Sequence, residues 1–211
     1  MALPAEKLEQ RLTQPQHNLR LVPDIKWELI DGVPVMMSPG RPNHSRAGRS
    51  IFRKIDRLLT SNPKYSGCEV FKEDIIVKLD EGNRFIPDIA VFCNTSIIGE
   101  VIAEGPPDLI VEVLSPSTAR NDRGHKMKVY GKTGVKEYWI VDPIGYIIEV
   151  YYNGGDEMNF VEEYAILSKL ELSIKKQEGK AIPETSFNSL IFPELVVDLY
   201  EVFADVLPED Y

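Results

Sequence analysis

The sequence lacks any apolar run long enough to cross a membrane. No stretch of eighteen consecutive apolar residues occurs among its 211 residues, whereas a membrane-spanning helix needs about 20. The first 25 residues contain no continuous apolar segment of the kind that a secretory signal requires. We therefore interpret residues 1–25 as a polar leader and expect a cytoplasmic protein that does not enter the membrane.

Cysteine is scarce. The chain has only Cys68 and Cys93, which form neither a CxxC pair nor a metal-binding spacing. Isolated cysteines in a reducing compartment are most often small buried hydrophobic side chains. We expect that role for both and assign them no chemistry.

Positive charge is also in deficit, with 24 Lys and Arg against 33 Asp and Glu. This balance argues against a nucleic-acid partner, because polyanion binding usually depends on a basic surface. However, residues 41–57 and 120–136 each hold six basic residues and a single acid. Two interpretations stay open for these segments: solvated helix faces, or nucleic-acid contacts through Arg46, Arg49, Arg53, Arg120 and Arg123.

Hydrophobic and charged fractions of 43% and 27% are typical of a globular protein. We predict a single α/β (α+β) domain over residues 26–211, with its core in residues 44–143. An Asp31-Gly32 turn predicts an N-terminal hairpin, and helical periodicity predicts an amphipathic helix over 44–61 with Asn43 as its N-cap. The other predicted elements are strands 71–79, 84–92 and 108–114, a helix 119–133, a strand 135–142, a hairpin of 146–152 with 160–166, and a short C-terminal helix.

Two acids interrupt predicted core strands. Asp88 follows Pro87 in the second of these strands, and Glu112 lies in the middle of an otherwise apolar third strand. Because an unpaired buried carboxylate costs several kcal/mol, each acid requires a cation. Either two buried salt bridges or a shared Mg²⁺ or Mn²⁺ ion would satisfy the pair.

A lysine on the following helix favours the metal site. Lys126 shares a helix face with Val129, Tyr130 and Thr133, whereas Lys128 lies on the opposite side and should face solvent. An ammonium group beside two metal-binding acids can orient a water molecule or neutralise charge on a phosphorus. A lysine that merely extends along the helix edge is the alternative.

These residues resemble a known superfamily. Pro87-Asp88 and Glu112-Val113-Leu114, on a core of αβββαβ order, are similar to the PD-(D/E)xK, or restriction-endonuclease-like, superfamily and to a widespread bacterial group within it. The resemblance covers residues 26–143. It implies a mixed central sheet and metal-dependent hydrolysis of phosphodiester bonds in DNA, by an enzyme that acts as a homodimer.

The resemblance also implies roles for single residues. Asp88 and Glu112 would bind Mg²⁺ or Mn²⁺ with the backbone carbonyl of Val113, and Lys126 would be the catalytic lysine. The superfamily pattern places its lysine two residues after the acid, where this chain has Leu114, so the lysine would have moved to the next helix. Secondary candidates are Glu28, Asp31, His44 and Glu73, whereas Tyr138 and Trp139 are expected to pack in the core.

A different class of function remains open. The same fold could serve as a catalytically inactive module that binds a nucleic acid or a protein, and the acidic remainder of the surface is compatible with it. A hydrolase of another phosphodiester would share the acids and differ in the shape of its pocket.

Overall fold

The computed structural model describes residues 26–37 and 40–208, so the predicted leader, residues 1–25, lies outside the described residues. The strands are β1 (Trp27–Ile30), β2 (Val33–Met36), β3 (Glu69–Phe71), β4 (Ile76–Lys78), β5 (Arg84–Phe85), β6 (Ile89–Phe92), β7 (Ile102–Glu104), β8 (Leu109–Val113), β9 (Glu137–Asp142), β10 (Ile147–Asn153), β11 (Met158–Ala165), β12 (Ser186–Asn188) and β13 (Val196–Asp198). The helices are α1 (Pro42–Ser61), α2 (Ala119–Asn121), α3 (Met127–Thr133), α4 (Lys169–Gln177) and α5 (Leu199–Val202). A π-helical turn over Asp122–Lys126 joins α2 to α3.

Two mixed sheets form the framework. The larger sheet has the order β11-β10-β9-β8-β6-β3, in which β8 and β9 are parallel and the other neighbours antiparallel. The smaller sheet has the order β2-β1-β5-β4-β7. The predicted fold class, with a mixed central sheet and a hairpin at each end, is confirmed. Within the described ranges, no helix combines the length and the apolar character needed to cross a bilayer.

The central strand β8 is buried on both faces, as its apolar sequence predicts. On one face, Val111 and Val113 pack with Ile51 of α1. On the other, Ile110 packs with Tyr138, beneath α3. Each fully buried aliphatic side chain contributes about 1.5–3 kcal/mol, so these two apolar layers fix β8, and Glu112 within it, at the centre of the fold.

The N-terminal hairpin turns where predicted. Asp31 and Gly32 both have positive φ, 48° and 78°, as the two central residues of a type I′ turn require. The N–H of Gly32 donates to the carbonyl of Gly82, 2.9 Å away. The hairpin is thereby attached to the turn between β4 and β5.

The prediction of continuous strands over 71–79 and 84–92 was wrong, because each is broken in the middle. Glu73 adopts a left-handed conformation (φ 57°), which ends the pleat after β3, and Pro87, which lacks an N–H, separates β5 from β6. Consequently β3 and β6 pair in the larger sheet, whereas β4 and β5 pair in the smaller one. The two breaks lie side by side, since the N–H of Glu73 donates to the carbonyl of Asp88 at 3.1 Å.

The helices differ from the predictions in three respects. Helix α1 begins at Pro42 with Arg41 as N-cap and without a side-chain cap, so Asn43 is not the N-cap; proline suits the first turn because its missing N–H would have no partner there. The helix predicted over 119–133 contains the π-helical turn. Helix α4 was not predicted, although Ser168 and Glu171 form the capping box that begins it.

The expectation for the cysteines was wrong as well, since Cys68 and Cys93 form a disulfide. The register of β3 and β6 explains the pairing. Glu69 lies opposite Phe92 in this antiparallel pair, so the residues one step further along, Cys68 and Cys93, come opposite each other. Sequence spacing alone could not reveal that register.

The disulfide should make the oxidised protein more stable than the reduced one. It closes a loop with a sequence separation of 25, for which loop entropy gives about 3 kcal/mol. Urea unfolding with and without dithiothreitol measures the difference, and a Cys68→Ser/Cys93→Ser variant should show no response to the reductant. Equal unfolding midpoints for the oxidised and reduced wild-type protein would contradict this prediction.

Candidate functional site

The break at Pro87 brings the two predicted acids together. Strands β6 and β8 are antiparallel neighbours in which Ile89 pairs with Val111. One step further, Asp88 comes opposite Glu112, at a position where Cβ atoms lie about 5 Å apart. Asp88 accepts a hydrogen bond from the N–H of Val113 at 2.6 Å, which fixes its carboxylate beside β8.

Lys126 reaches the acids from the π-helical turn. Its ammonium nitrogen lies 2.9 Å from Oε1 of Glu28, 3.0 Å from Oε1 of Glu112 and 3.7 Å from Oδ1 of Asp122. A π-helical turn holds one residue more than an α-helical turn and often occurs at functional sites. Lys128, in contrast, is exposed. The opposite orientations predicted for the two lysines are confirmed.

Burial governs the protonation of this cluster. It raises the pKa of Glu112 well above the usual 4.5, and Lys126 offsets only part of that effect. Burial would lower the pKa of Lys126, but Glu112, Glu28 and Asp122 outweigh it and raise the pKa above 10.5. The hydroxyl of Tyr130, whose pKa is raised mainly by burial, donates to Oε1 of Glu112 at 2.8 Å. Lys126 and Tyr130 therefore stay protonated near neutral pH.

The cluster contains more acidic than basic side chains. Its buried members are four acids and one lysine, with exposed fractions of 6% for Glu28, 8% for Asp88, 4% for Glu112, 1% for Asp122 and 3% for Lys126. Among the residues that the structure describes, Oδ1 of Asp122 is buried and has no hydrogen-bond partner. Such an excess of buried carboxylates is costly without a further cation. Oxygen-rich donors of this kind suit Mg²⁺ or Mn²⁺, so the residues present fit a divalent ion.

Two secondary candidates join Asp88 on its other side. Within the described residues, His44, Glu73 and Asp88 offer ligand atoms that all lie within 4.8 Å of one another. Nε2 of His44 is 3.1 Å from Oδ2 of Asp88. Burial lowers the pKa of His44, but the hydrogen bond and the charge of Asp88 outweigh that effect and raise it above 6.5.

The site meets solvent on the side of Glu73. The side chain of Glu73 is 36% exposed and that of its ion-pair partner Lys72 is 24% exposed, whereas that of Lys126 is 4% exposed. The site is therefore more accessible on the Glu73 side of Asp88 than at Lys126.

Of the two remaining candidates, Asp31 lies apart from the cluster and Glu28 belongs to it. Asp31 lies in the hairpin turn, where Oδ2 is 3.4 Å from Nδ1 of His125. Glu28 accepts from the N–H of Ile86 at 2.9 Å and pairs with Lys126, so it enters the cluster as an ion-pair partner.

The predicted arginine contacts are on the surface, and two of them have acidic partners. Arg46, Arg49 and Arg53 line a groove of about 510 Å³ between α1 and the C-terminal segment. Arg49 lies 3.7 Å from Asp205, and Arg123 forms an ion pair with Glu149. Arg120 is exposed.

Sequence reasoning missed two members of the cluster. Asp122 stands four residues before Lys126 and Tyr130 four residues after it, so both share its helix face. That spacing was the available signal. Asp122 was counted only as the acid of a basic segment, and Tyr130 was named only as a residue on the helix face of Lys126.

Asp122→Asn should change the pH dependence of stability in the metal-free protein. Burial raises the pKa of Asp122 from 3.8 to about 6, so the folded state binds this proton more tightly than the unfolded chain does. The resulting stability is fully present below 3.8 and is lost as pH rises through about 6. Relative to wild type, Asp122→Asn should therefore gain stability between about pH 4 and pH 7.

Urea unfolding at both pH values measures this gain. Asp156→Asn is the matched control, because Asp156 is exposed in the turn between β10 and β11. Asp122→Asn and Asp156→Asn curves with the same pH dependence would refute the raised pKa.

A family comparison covers most of the chain. The family model Uma2, described as "Putative restriction endonuclease", matches residues 14–178. Two relatives come from Synechocystis sp. "Uncharacterized protein slr1290" is 29% identical over 149 residues, which cover 70% of this chain and 76% of the relative. "Uncharacterized protein sll1609" is 28% identical over 142 residues, which cover 65% and 78%.

A solved structure supports the fold. It is described as a "putative nuclease belonging to DUF820" from Anabaena variabilis and matches with a TM-score of 0.65 at 20% identity. The match covers 86% of this chain and 91% of that one. At this identity the likeness demonstrates a common fold.

Proposed function

The chain belongs to the Uma2 family, described as "Putative restriction endonuclease", and from this premise we propose that it is a metal-dependent endonuclease that hydrolyses phosphodiester bonds of DNA. The restriction-endonuclease-like resemblance seen in the sequence is confirmed by the family match and the structural neighbour. Nucleases of this superfamily generally depend on a divalent metal. The choice of Mg²⁺ or Mn²⁺ and of DNA as substrate is part of the proposal.

The observation that carries the proposal is the excess of buried carboxylates where the two sheets meet. Asp88 directly precedes β6, and Glu112 lies opposite it in the neighbouring strand β8. Both acids are buried, and the ammonium group of Lys126 contacts Glu112 together with Glu28 and Asp122. A purely structural salt bridge would need only one acid for that lysine. The additional acids favour a site that takes up a divalent cation.

The residues have distinct proposed roles. Asp88, Glu112 and the carbonyl of Val113 would hold the ion, which when bound supplies Lewis-acid stabilisation and a water of lowered pKa. Tyr130 and Lys126 orient Glu112 through its Oε1. Because the pKa of Lys126 is raised, we assign it to electrostatic stabilisation of charge on the phosphate, and not to removal of a proton.

The arginines of α1 suit the backbone of a nucleic acid. His44 lies in the first turn of α1, and Arg46, Arg49 and Arg53 follow along the same helix. At 1.5 Å per residue the row extends over roughly 14 Å from His44, enough to contact two or three phosphates. Arg120 would add a contact from α2, and Arg123 would do so by exchanging Glu149 for a phosphate.

A homodimer is part of the proposal as well. Duplex cleavage needs a cut in each strand, and a two-fold symmetric pair of active sites suits that task. The apolar C-terminal region offers exposed Leu190, Val196 and Tyr200 as candidate contacts. Sedimentation or light scattering of the purified protein measures this state directly.

Incubation with supercoiled plasmid and with single-stranded DNA tests the proposed activity. We expect nicked and linear plasmid with Mn²⁺ or Mg²⁺ and no product with a chelator. An RNA with the same sequence as the single-stranded DNA tests the preference for DNA.

Asp88→Ala is the control for contamination, since it removes a proposed ligand. Cutting that persists in this variant would assign the activity to another nuclease and reject the proposal. Binding of DNA without cutting in any metal would instead favour the inactive binding module.

A further inference from the structure

The disulfide and the candidate site lie at opposite ends of one antiparallel strand pair, β3 with β6. Cys68 directly precedes β3 and Cys93 directly follows β6, so the disulfide closes one end of the pair. At the other end, the N–H of Glu73 donates to the carbonyl of Asp88. Cys68 stands five residues before Glu73, and Cys93 stands five residues after Asp88, which corresponds to roughly 15 Å along a strand.

Strand β3 depends on β6 for its position. It is the last strand of the larger sheet, so its other edge has no neighbouring strand in the described part of the chain. Glu69 is exposed, Val70 and Phe71 are only half-buried, and the ring of Phe71 contacts that of Phe92 on β6. A groove of about 630 Å³, lined by β3 and the end of α1, lies beside the strand. A short edge strand with so little cover belongs to the part of a fold that opens most readily.

The disulfide is accessible from solvent. Cys93 is exposed and Cys68 is half-buried, and Cys68 also lines the groove beside β3. Exposed disulfides are more easily reduced than buried structural ones, and exchange begins when a thiolate attacks an accessible sulfur. Cys93 is therefore the expected point of attack.

We propose that Cys68 and Cys93 form a thiol-exchange site, which dithiol reductants open, and that its opening loosens β3 and detaches Glu73 from Asp88. One thiolate of the reductant attacks Sγ of Cys93, the S–S bond breaks, and Cys68 leaves as a thiolate that takes a proton from water. The second thiolate of the reductant attacks the mixed disulfide and releases Cys93. The reductant ends as a disulfide, and the protein gains two electrons and two protons.

The loosening reaches the candidate site through Glu73. With the disulfide open, β3 is free to separate from β6 beginning at Cys68, and the bond from Glu73 to the carbonyl of Asp88 is then the next backbone tie beyond the strand pair. The carboxylate of Asp88 is held independently by the N–H of Val113. Reduction should therefore move Glu73 while Asp88 keeps its contact with β8.

Hydrogen exchange of the oxidised and the dithiothreitol-reduced protein tests the loosening. Reduction should speed exchange of the amides of residues 69–73 by roughly 10-fold or more and leave the amide of Val113 unchanged. A Cys68→Ser/Cys93→Ser variant should exchange at the faster rate with and without dithiothreitol. Unchanged exchange at 69–73, or equal acceleration at Val113, would overturn the proposal, because the second result indicates only a loss of global stability.

A monothiol tests the point of attack, because it cannot complete the second step and leaves a mixed disulfide on the protein. Oxidised protein is incubated with reduced glutathione, its free thiols are alkylated, and its peptides are mapped by mass spectrometry. We expect glutathione on Cys93 and the alkyl group on Cys68. Adducts confined to Cys68, or none at all, would overturn the assigned exchange step.

Plasmid cutting links the thiol-exchange site to the proposed nuclease function, on which this part of the inference rests. After removal of the reductant, reduced protein should cut roughly 10-fold more slowly than oxidised protein, and reoxidation with oxidised glutathione should restore the rate. Equal cutting by the two states of an active protein would overturn the effect on the site. Local loosening on reduction in a protein that cuts no DNA would uphold the thiol-exchange site and reject the nuclease.

Discussion

Glu112→Gln is expected to reduce DNA cutting by roughly 10³-fold or more while leaving the metal-free protein at least as stable as the wild type at about pH 8. The loss of activity follows from removing a proposed metal ligand. The stability follows from burial, which raises the pKa of Glu112 and makes its charged form costly in the folded state. A glutamine keeps an oxygen that can accept from Tyr130 and has no charge to bury.

Plasmid cutting and urea unfolding measure the two effects on one sample. Glu137→Gln is the contrasting variant, because Glu137 is equally buried but is satisfied by Trp139, Ser189 and the N–H of Ile191. It should lose stability and retain cutting. Unreduced cutting by Glu112→Gln, or a large loss of its stability, would contradict the role assigned to Glu112.

Lys126→Met is expected to lower the free energy of unfolding of the metal-free protein by about 3–5 kcal/mol. The ammonium group is the buried cation closest to Glu28, Glu112 and Asp122. Without it, these acids face one another uncompensated in a site that excludes water. Cutting should also fall, because the charge assigned to phosphate stabilisation is gone.

Lys128→Met is the matched control, since Lys128 lies two residues further on and is exposed. Its stability should stay within about 0.5 kcal/mol of the wild type. Mn²⁺ should stabilise Lys126→Met by mass action, since an ion can replace part of the missing charge. Chemical denaturation with and without Mn²⁺ gives all of these values, and equal stability of the two lysine variants would refute the burial argument.

Features set by local chemistry could be predicted from the sequence. The Asp31-Gly32 turn, the end of α3 at Gly134 and the strand β8 all depend on residues adjacent in the chain. The splitting of two strands at Glu73 and Pro87 could not be predicted, because it depends on pairing with different sheets. The Cys68–Cys93 disulfide was missed for the same reason.

The residues of the candidate site also differ in whether local sequence could identify them. Asp88 and Glu112 were identified because an acid in an apolar strand is anomalous by itself, and Lys126 because its helix face could be deduced from spacing. His44 and Glu73 were only secondary candidates, since they come close to Asp88 only because the strands are broken between the two sheets. The functional roles of all five remain predictions.

The central claim is that buried carboxylates at the junction of the two sheets hold a divalent ion. A crystal grown with Mn²⁺, with diffraction recorded near the manganese absorption edge, tests it most directly. We predict an anomalous peak bonded to Asp88 and Glu112, next to Lys126. Peaks confined to exposed surface acids, with Asp88 and Glu112 bound only to protein groups, would contradict the claim.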